Sequence, residues 1–78
     1  MNKEFGTYII SNPKICGGEL TFKGTRILVK GVLQQLERGL AFEEIIEEWH
    51  NRINKEAILE AIQLANKAFF KYQKELVA

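Results

Sequence analysis

The chain has 78 residues, enough for one domain that buries only about 60–65% of its unfolded surface. Its 46% apolar and 27% charged residues read as globular rather than disordered, and one Cys with one His exclude an intrachain disulfide and a Cys/His metal site. The net charge of +1 hides an uneven spread: residues 1–31 carry five Lys/Arg against two Glu (+3), 32–52 two against five (−3), and 53–78 four against three (+1). A basic first third suits nucleic acid or an acidic partner, and equally an ordinary solvated surface.

The opening MNKEFGTYIISNPK lacks the apolar stretch of a signal peptide, and no run of about 18 apolar residues follows anywhere. A cytoplasmic protein without a membrane span is expected. TYIIS, residues 7–11, is β-branched and aromatic and predicts a short strand. Pro13 then punctuates the chain. Gly17 and Gly18 precede a second predicted strand at 19–23, with Leu20 and Phe22 on one face and Thr21 on the other, and Gly24 closes it. TRILV could add a third strand or lead into a helix.

From residue 30 the apolar period becomes helical. Val29, Val32, Leu33 and Leu36 recur at i, i+3, i+4 and i+7, predicting a helix at 30–38 ended by Gly39 as a left-handed C′ residue. AFEEIIEEW predicts a second helix at 42–49, its Glu43 and Glu44 suiting the positive end of the helix dipole. HNRIN breaks the pattern. Asn54 is a good N-cap for a final helix at 54–75, with Ile58, Ala61, Ile62, Ala65, Phe69 and Tyr72 as its apolar stripe. The expected fold is mainly α with a small N-terminal β element, an α+β single domain over 1–78. It divides into a β unit (1–29) and a three-helix, helix-turn-helix-like unit (30–78).

ICGGELTFKGTR resembles a scrambled P-loop, but Lys23 falls at a strand end and no helix begins at Thr25. A P-loop needs its Lys at a strand–helix junction, so nucleotide hydrolysis is set aside. His50, at a helix end, reads as a polar turn residue. Cys16 reads as a small packed residue. Glu43, Glu44, Glu47 and Glu48 form a solvated face with nothing to mark one as acid and another as base. No enzyme, metal or cofactor is expected.

The last two helices have the order of a helix-turn-helix, with residues 55–67 as recognition helix and Lys55, Glu56, Glu60, Gln63 and Lys67 outward. Gln63 and the lysines suit base or phosphate contact; Glu56 and Glu60 oppose it. Toward the end, Phe69, Phe70 and Tyr72 cannot all face one small core and are candidates for a partner or oligomer interface.

The run ISNPKICGGELTFKGTRILVKGVLQQLERGLAFEEIIEEW…EAILEAIQLA resembles domain-of-unknown-function family 433. That family shows D-P-x-I-x-G-G-x-P-x-I-x-G-T-R-I-x-V, then G-x-S-x-E-E-I, then a tyrosine–proline turn and a final helix. Pro13, Ile15, Gly17, Gly18, Gly24, Thr25, Arg26, Ile27 and Val29 match the first part, and Gly39, Glu43, Glu44 and Ile45 the second. Asn12 replaces a frequent Asp, Leu20 and Leu28 replace frequent prolines, Ala41 replaces a Ser/Thr cap, and WHNRIN replaces the tyrosine–proline turn.

The resemblance implies a VapB-type antitoxin that binds and blocks a PIN-domain ribonuclease toxin and, with it, promoter DNA; members are often dimers. Lys23, Arg26, Lys30, Lys55, Gln63 and Lys67 are then the DNA or partner candidates. The acidic metal site of a PIN nuclease makes Arg26, Arg38 or Arg52 candidates to neutralise it. The structural alternative for Arg26 is an ion pair with Glu43 or Glu44. The functional alternative is a dimeric protein-interaction module without DNA binding.

Overall fold

The structure, a computed structural model, describes residues 2–77. Three short strands, β1 (Lys3–Glu4), β2 (Ile9–Ser11) and β3 (Leu20–Phe22), form an antiparallel sheet in that order. Helices α1 (Val29–Glu37), α2 (Phe42–Glu48) and α3 (Lys55–Val77) follow. The α+β architecture expected from the sequence is the one observed. β1 was not expected: two exposed charged residues carry no strand signal, and only pairing with β2 makes them one. The strand expected at 7–11 is shorter, because Phe5–Tyr8 make the β1–β2 turn, closed by the Phe5 N–H donating to the Ile9 carbonyl at 2.9 Å.

Register sets Ile9 opposite Phe22, Ile10 opposite Thr21, and Ser11 opposite Leu20. TRILV turned out to be a lead-in: Leu28 makes a single antiparallel bridge to Thr21 before α1 begins at Val29. Thr21 is fully buried, and its hydroxyl has no hydrogen-bond partner among the described residues. Thr21→Val, which keeps the shape and removes the stranded hydroxyl, should therefore stabilise the domain by about 1 kcal/mol. A denaturant midpoint at or below that of the wild type would show that the hydroxyl is satisfied.

Every element feeds one core: Ile9 of β2, Phe22 of β3, Ile27, Val29 and Val32, Ile45 of α2, Ile53, and Ala57, Ile58 and Ala61 of α3. Among them α1 inserts a buried Gln35. Its amide donates to Glu48 (3.2 Å) and its carbonyl accepts the Trp49 indole N–H (2.8 Å), so both polar ends are satisfied and α1 is tied to the end of α2.

The helix ends follow local chemistry. Gly39, at φ 90°, lets its own N–H reach the Leu36 carbonyl and that of Leu40 reach Gln35, the double bond of a Schellman cap. His50 and Asn51 make the same closure on α2, bonding Glu47 and Ile46, but as non-glycine residues at φ 57° and 60°. Ala41 offers no cap acceptor; Glu44 compensates by accepting the Ala41 N–H at 2.8 Å, half of a capping box. Asn54 caps α3 as expected, its side chain accepting the Ala57 N–H at 2.8 Å.

α3 outruns the body it packs on. Its last fully buried residue is Ala61, and every residue from Asn66 to Val77 is exposed. At 1.5 Å per residue this is about 18 Å of helix without intramolecular cover.

Candidate functional site

Two turns build the site. In the first, Lys23–Arg26 reverses the chain after β3. The Thr25 hydroxyl donates to the Phe22 carbonyl (2.8 Å) and accepts the Ile27 N–H (3.0 Å), so the threonine side chain acts as an internal strut. Gly24 takes φ 76°, and the Phe22 N–H closes on the Ile27 carbonyl at 3.1 Å. Phe22 and Ile27 are buried on either side, so Arg26 is held at an exposed apex. The Cys16 thiol donates to the Arg26 carbonyl at 3.7 Å, adding a weak tie from the preceding loop.

The second turn is the α2–α3 connection, Trp49–Asn54. Ile53 is buried and Asn54 caps α3, so the turn is pinned at that end and Arg52 is exposed beside it. Arg26 and Arg52 together border two open hollows. One, about 410 Å³, is lined by Ile15, Gly24 and Thr25. The other, about 300 Å³, is lined by Ile27, Glu48, Trp49 and His50.

Neither arginine makes an ion pair among the described residues. The pairing of Arg26 with Glu43 or Glu44 is not found, and Glu44 is engaged at the start of α2. Arg26 is instead exposed on the turn that Thr25 braces. The other basic candidates near β3 are occupied: Lys23 pairs with Glu4 at 3.2 Å and Lys30 with Glu19 at 2.8 Å. Both pairs are solvent-exposed and of little energetic weight, but they lower the positive charge these lysines present.

On α3, Lys55, Gln63 and Lys67 are exposed, Lys55 in the first turn and the other two on one polar face. Glu60 is not outward as expected. It is half-buried, and its carboxylate accepts the N–H groups of Thr7 (3.1 Å) and Tyr8 (2.8 Å). The β1–β2 turn thus sits on this face of α3, with Phe5 and Gly6 beside Gln63 and Lys67. The connection between α2 and α3 spans six residues, longer than the three or four of a helix-turn-helix.

Phe69, Phe70 and Tyr72 lie beyond the core, all more than half exposed, with the rings of Phe69 and Phe70 edge to face at 5.9 Å. The turn glycines Gly17, Gly18, Gly24 and Gly39 all have positive φ, from 65° to 90°. Sequence reading missed Arg52 as Arg26's neighbour, and Glu60 as a clasp. No spacing in the chain links residues 26 and 52, and Glu60 shared its expected outward face with Glu56, so nothing in the sequence singled it out. Among the described residues no group of three or more His, Cys, Asp or Glu is placed to hold a metal ion. No helix among them is long and apolar enough to cross a membrane.

No curated protein and no solved structure matches the chain. A family model does, over residues 9–65, which takes in both arginine turns and stops just before the exposed end of α3. The chain therefore belongs to the family described as protein of unknown function, DUF433.

Proposed function

We propose that the chain is a non-enzymatic, cytoplasmic, antitoxin-like protein that binds and inhibits a PIN-type ribonuclease, the complex then binding promoter DNA. The class of partner comes from the family resemblance. The observation that supports a partner-binding role is the pair Arg26 and Arg52, exposed at two braced turns and in no ion pair among the described residues. Such arginines suit the carboxylates that hold metal in a nuclease site, because guanidinium groups bind carboxylates through two parallel hydrogen bonds.

The test is inhibition of the ribonuclease encoded beside this chain. The double variant Arg26→Ala, Arg52→Ala should melt within about 3 °C of the wild type, since neither side chain supports the fold. It should bind the ribonuclease roughly 100-fold more weakly, as expected for the loss of central arginines. Undiminished inhibition by the folded double variant would remove the arginines from the reading. A neighbouring gene product with no nuclease fold would remove the antitoxin.

A second reading, an interaction module without DNA binding, is favoured by the β1–β2 turn resting on the polar face of α3. Mobility shift with upstream DNA at low salt, where phosphate contacts are strongest, separates the two. A shift that appears only with the ribonuclease present supports the first reading. No shift in either case leaves the second.

A further inference from the structure

Beyond the body, α3 carries two opposite faces. At about 100° per residue, Phe69, Tyr72 and Leu76 fall together on one side. Lys67, Lys71 and Lys74 fall on the other, within an arc of about 60°, and Phe70 lies at the edge of that arc. The Phe70 side chain is 62% exposed, with Lys67 three residues before it and Lys74 four after. The same face runs back through Gln63 to Glu60, where the β1–β2 turn meets it. There Phe5 shares a small hollow of about 130 Å³ with Gln63 and Lys67, and the Lys3 ammonium stands 5.4 Å from the centre of the Phe5 ring. The first strand and the last helix together present two rings interleaved with four lysines.

None of these lysines is in an ion pair among the described residues. The acids nearest to them are engaged elsewhere: Glu60 accepts the Thr7 and Tyr8 N–H groups, and Glu4 pairs with Lys23. The other carboxylates of this side are marginal to it. Glu75 sits at the edge past Lys71, and Glu56 lies about 16 Å back along the helix from Lys67.

We infer that this surface binds single-stranded nucleic acid, the lysines holding phosphates and Phe70 and Phe5 stacking on bases. Single-strand binders combine a basic track with exposed rings in this way, because every nucleotide offers a phosphate and every base a face to stack on. A duplex fits poorly. Its bases already stack on one another, and the β1–β2 turn standing on this face of α3 keeps the helix out of a major groove. An apolar partner would fit the opposite face, where Phe69, Tyr72 and Leu76 have no lysine among them. The surface shares no residue with the Arg26 and Arg52 turns, so it does not depend on the antitoxin reading.

The test is fluorescence anisotropy on the full chain with labelled oligouridylate and oligothymidylate of about twelve nucleotides, a length within the range of single-strand sites. Saturable binding is expected, tighter than to a duplex of the same length. Tighter binding of oligouridylate assigns the site to RNA, and of oligothymidylate to DNA. Four phosphate contacts predict a slope of about −2.8 in log affinity against log salt, a loss of roughly 50-fold between about 50 and 200 mM. Lys71→Gln with Lys74→Gln should make that slope shallower by about 1.4. Phe70→Leu keeps an apolar side chain and removes the flat ring. It should weaken binding roughly 10-fold at an unchanged slope, as should Phe5→Leu. Tyr72→Leu, an equally exposed ring on the opposite face, should stay within about twofold. Thermal melts confirm that each variant is folded. No binding at low salt, a preference for the duplex, full affinity in a folded Phe70→Leu variant, or an equal loss in Tyr72→Leu would each overturn the assignment.

Discussion

Phe22→Ala is expected to leave much of the protein unfolded at 37 °C. Phe22 is 2% exposed, and it is the largest fully buried side chain in the chain. It pairs with Ile9 across the sheet and lies in the single core that all three helices share. Truncating a buried phenylalanine costs about 3–5 kcal/mol, the lost transfer energy plus the cavity left behind. A domain of this length holds only about 4–12 kcal/mol in total. The site would go with the fold, because the Phe22 carbonyl receives the Thr25 hydroxyl that shapes the Arg26 turn. Urea unfolding at 25 °C measures the effect, with Phe22→Leu as the milder comparison at under about 1.5 kcal/mol. An alanine variant whose midpoint stays near that of the wild type would mean the core closes over the gap.

Glu60→Ala should cost about 2–3 kcal/mol and release the β1–β2 turn from α3. One carboxylate accepts two backbone N–H groups, at 3.1 and 2.8 Å, across more than fifty residues of sequence. Hydrogen bonds to a charged acceptor contribute about 1.5–3 kcal/mol each when sheltered, and the Thr7 bond is exposed and weaker. Exchange of the Thr7 and Tyr8 amides should accelerate far more than that of the core amides, and unchanged exchange would refute the clasp. Gly6 belongs to the same device. It takes φ 123°, and a Cβ there would stand 2.6 Å from the Glu60 carboxylate oxygen, so Gly6→Ala should loosen the same contact. The substitution also bears on function. A DNA-reading α3 would gain affinity from Glu60→Ala, since a negative charge goes and the face opens. A protein-binding end at residues 66–77 would be indifferent.

Periodicity and end residues located the three helices to within two residues at either end, because each carries its own apolar stripe and local signals mark the breaks: Gly39 closes α1 and Asn54 opens α3. The strands were less legible. Two- and three-residue strands have too few positions for alternation to register, and β1 consists of exposed charges that only a neighbour's free edge recruits. Of the candidate site, the turn that carries Arg26 was legible as Gly-Thr-Arg, while its geometry was not, since Thr25 acts through bonds to Phe22 and Ile27 that composition does not reveal.

Local sequence by itself therefore determined the helical content, the helix ends and the positive-φ turns, all of which depend on residues within a few positions of one another. Tertiary structure alone decided which charges are spent and which remain. Lys23 and Lys30 meet Glu4 and Glu19, Glu60 is drawn under the hairpin, and Arg26 comes beside Arg52, neither of them in an ion pair among the described residues. These outcomes join residues 11 to 53 positions apart. A pairing at such range is set by how the core orients its elements, so no local pattern in the chain encodes it.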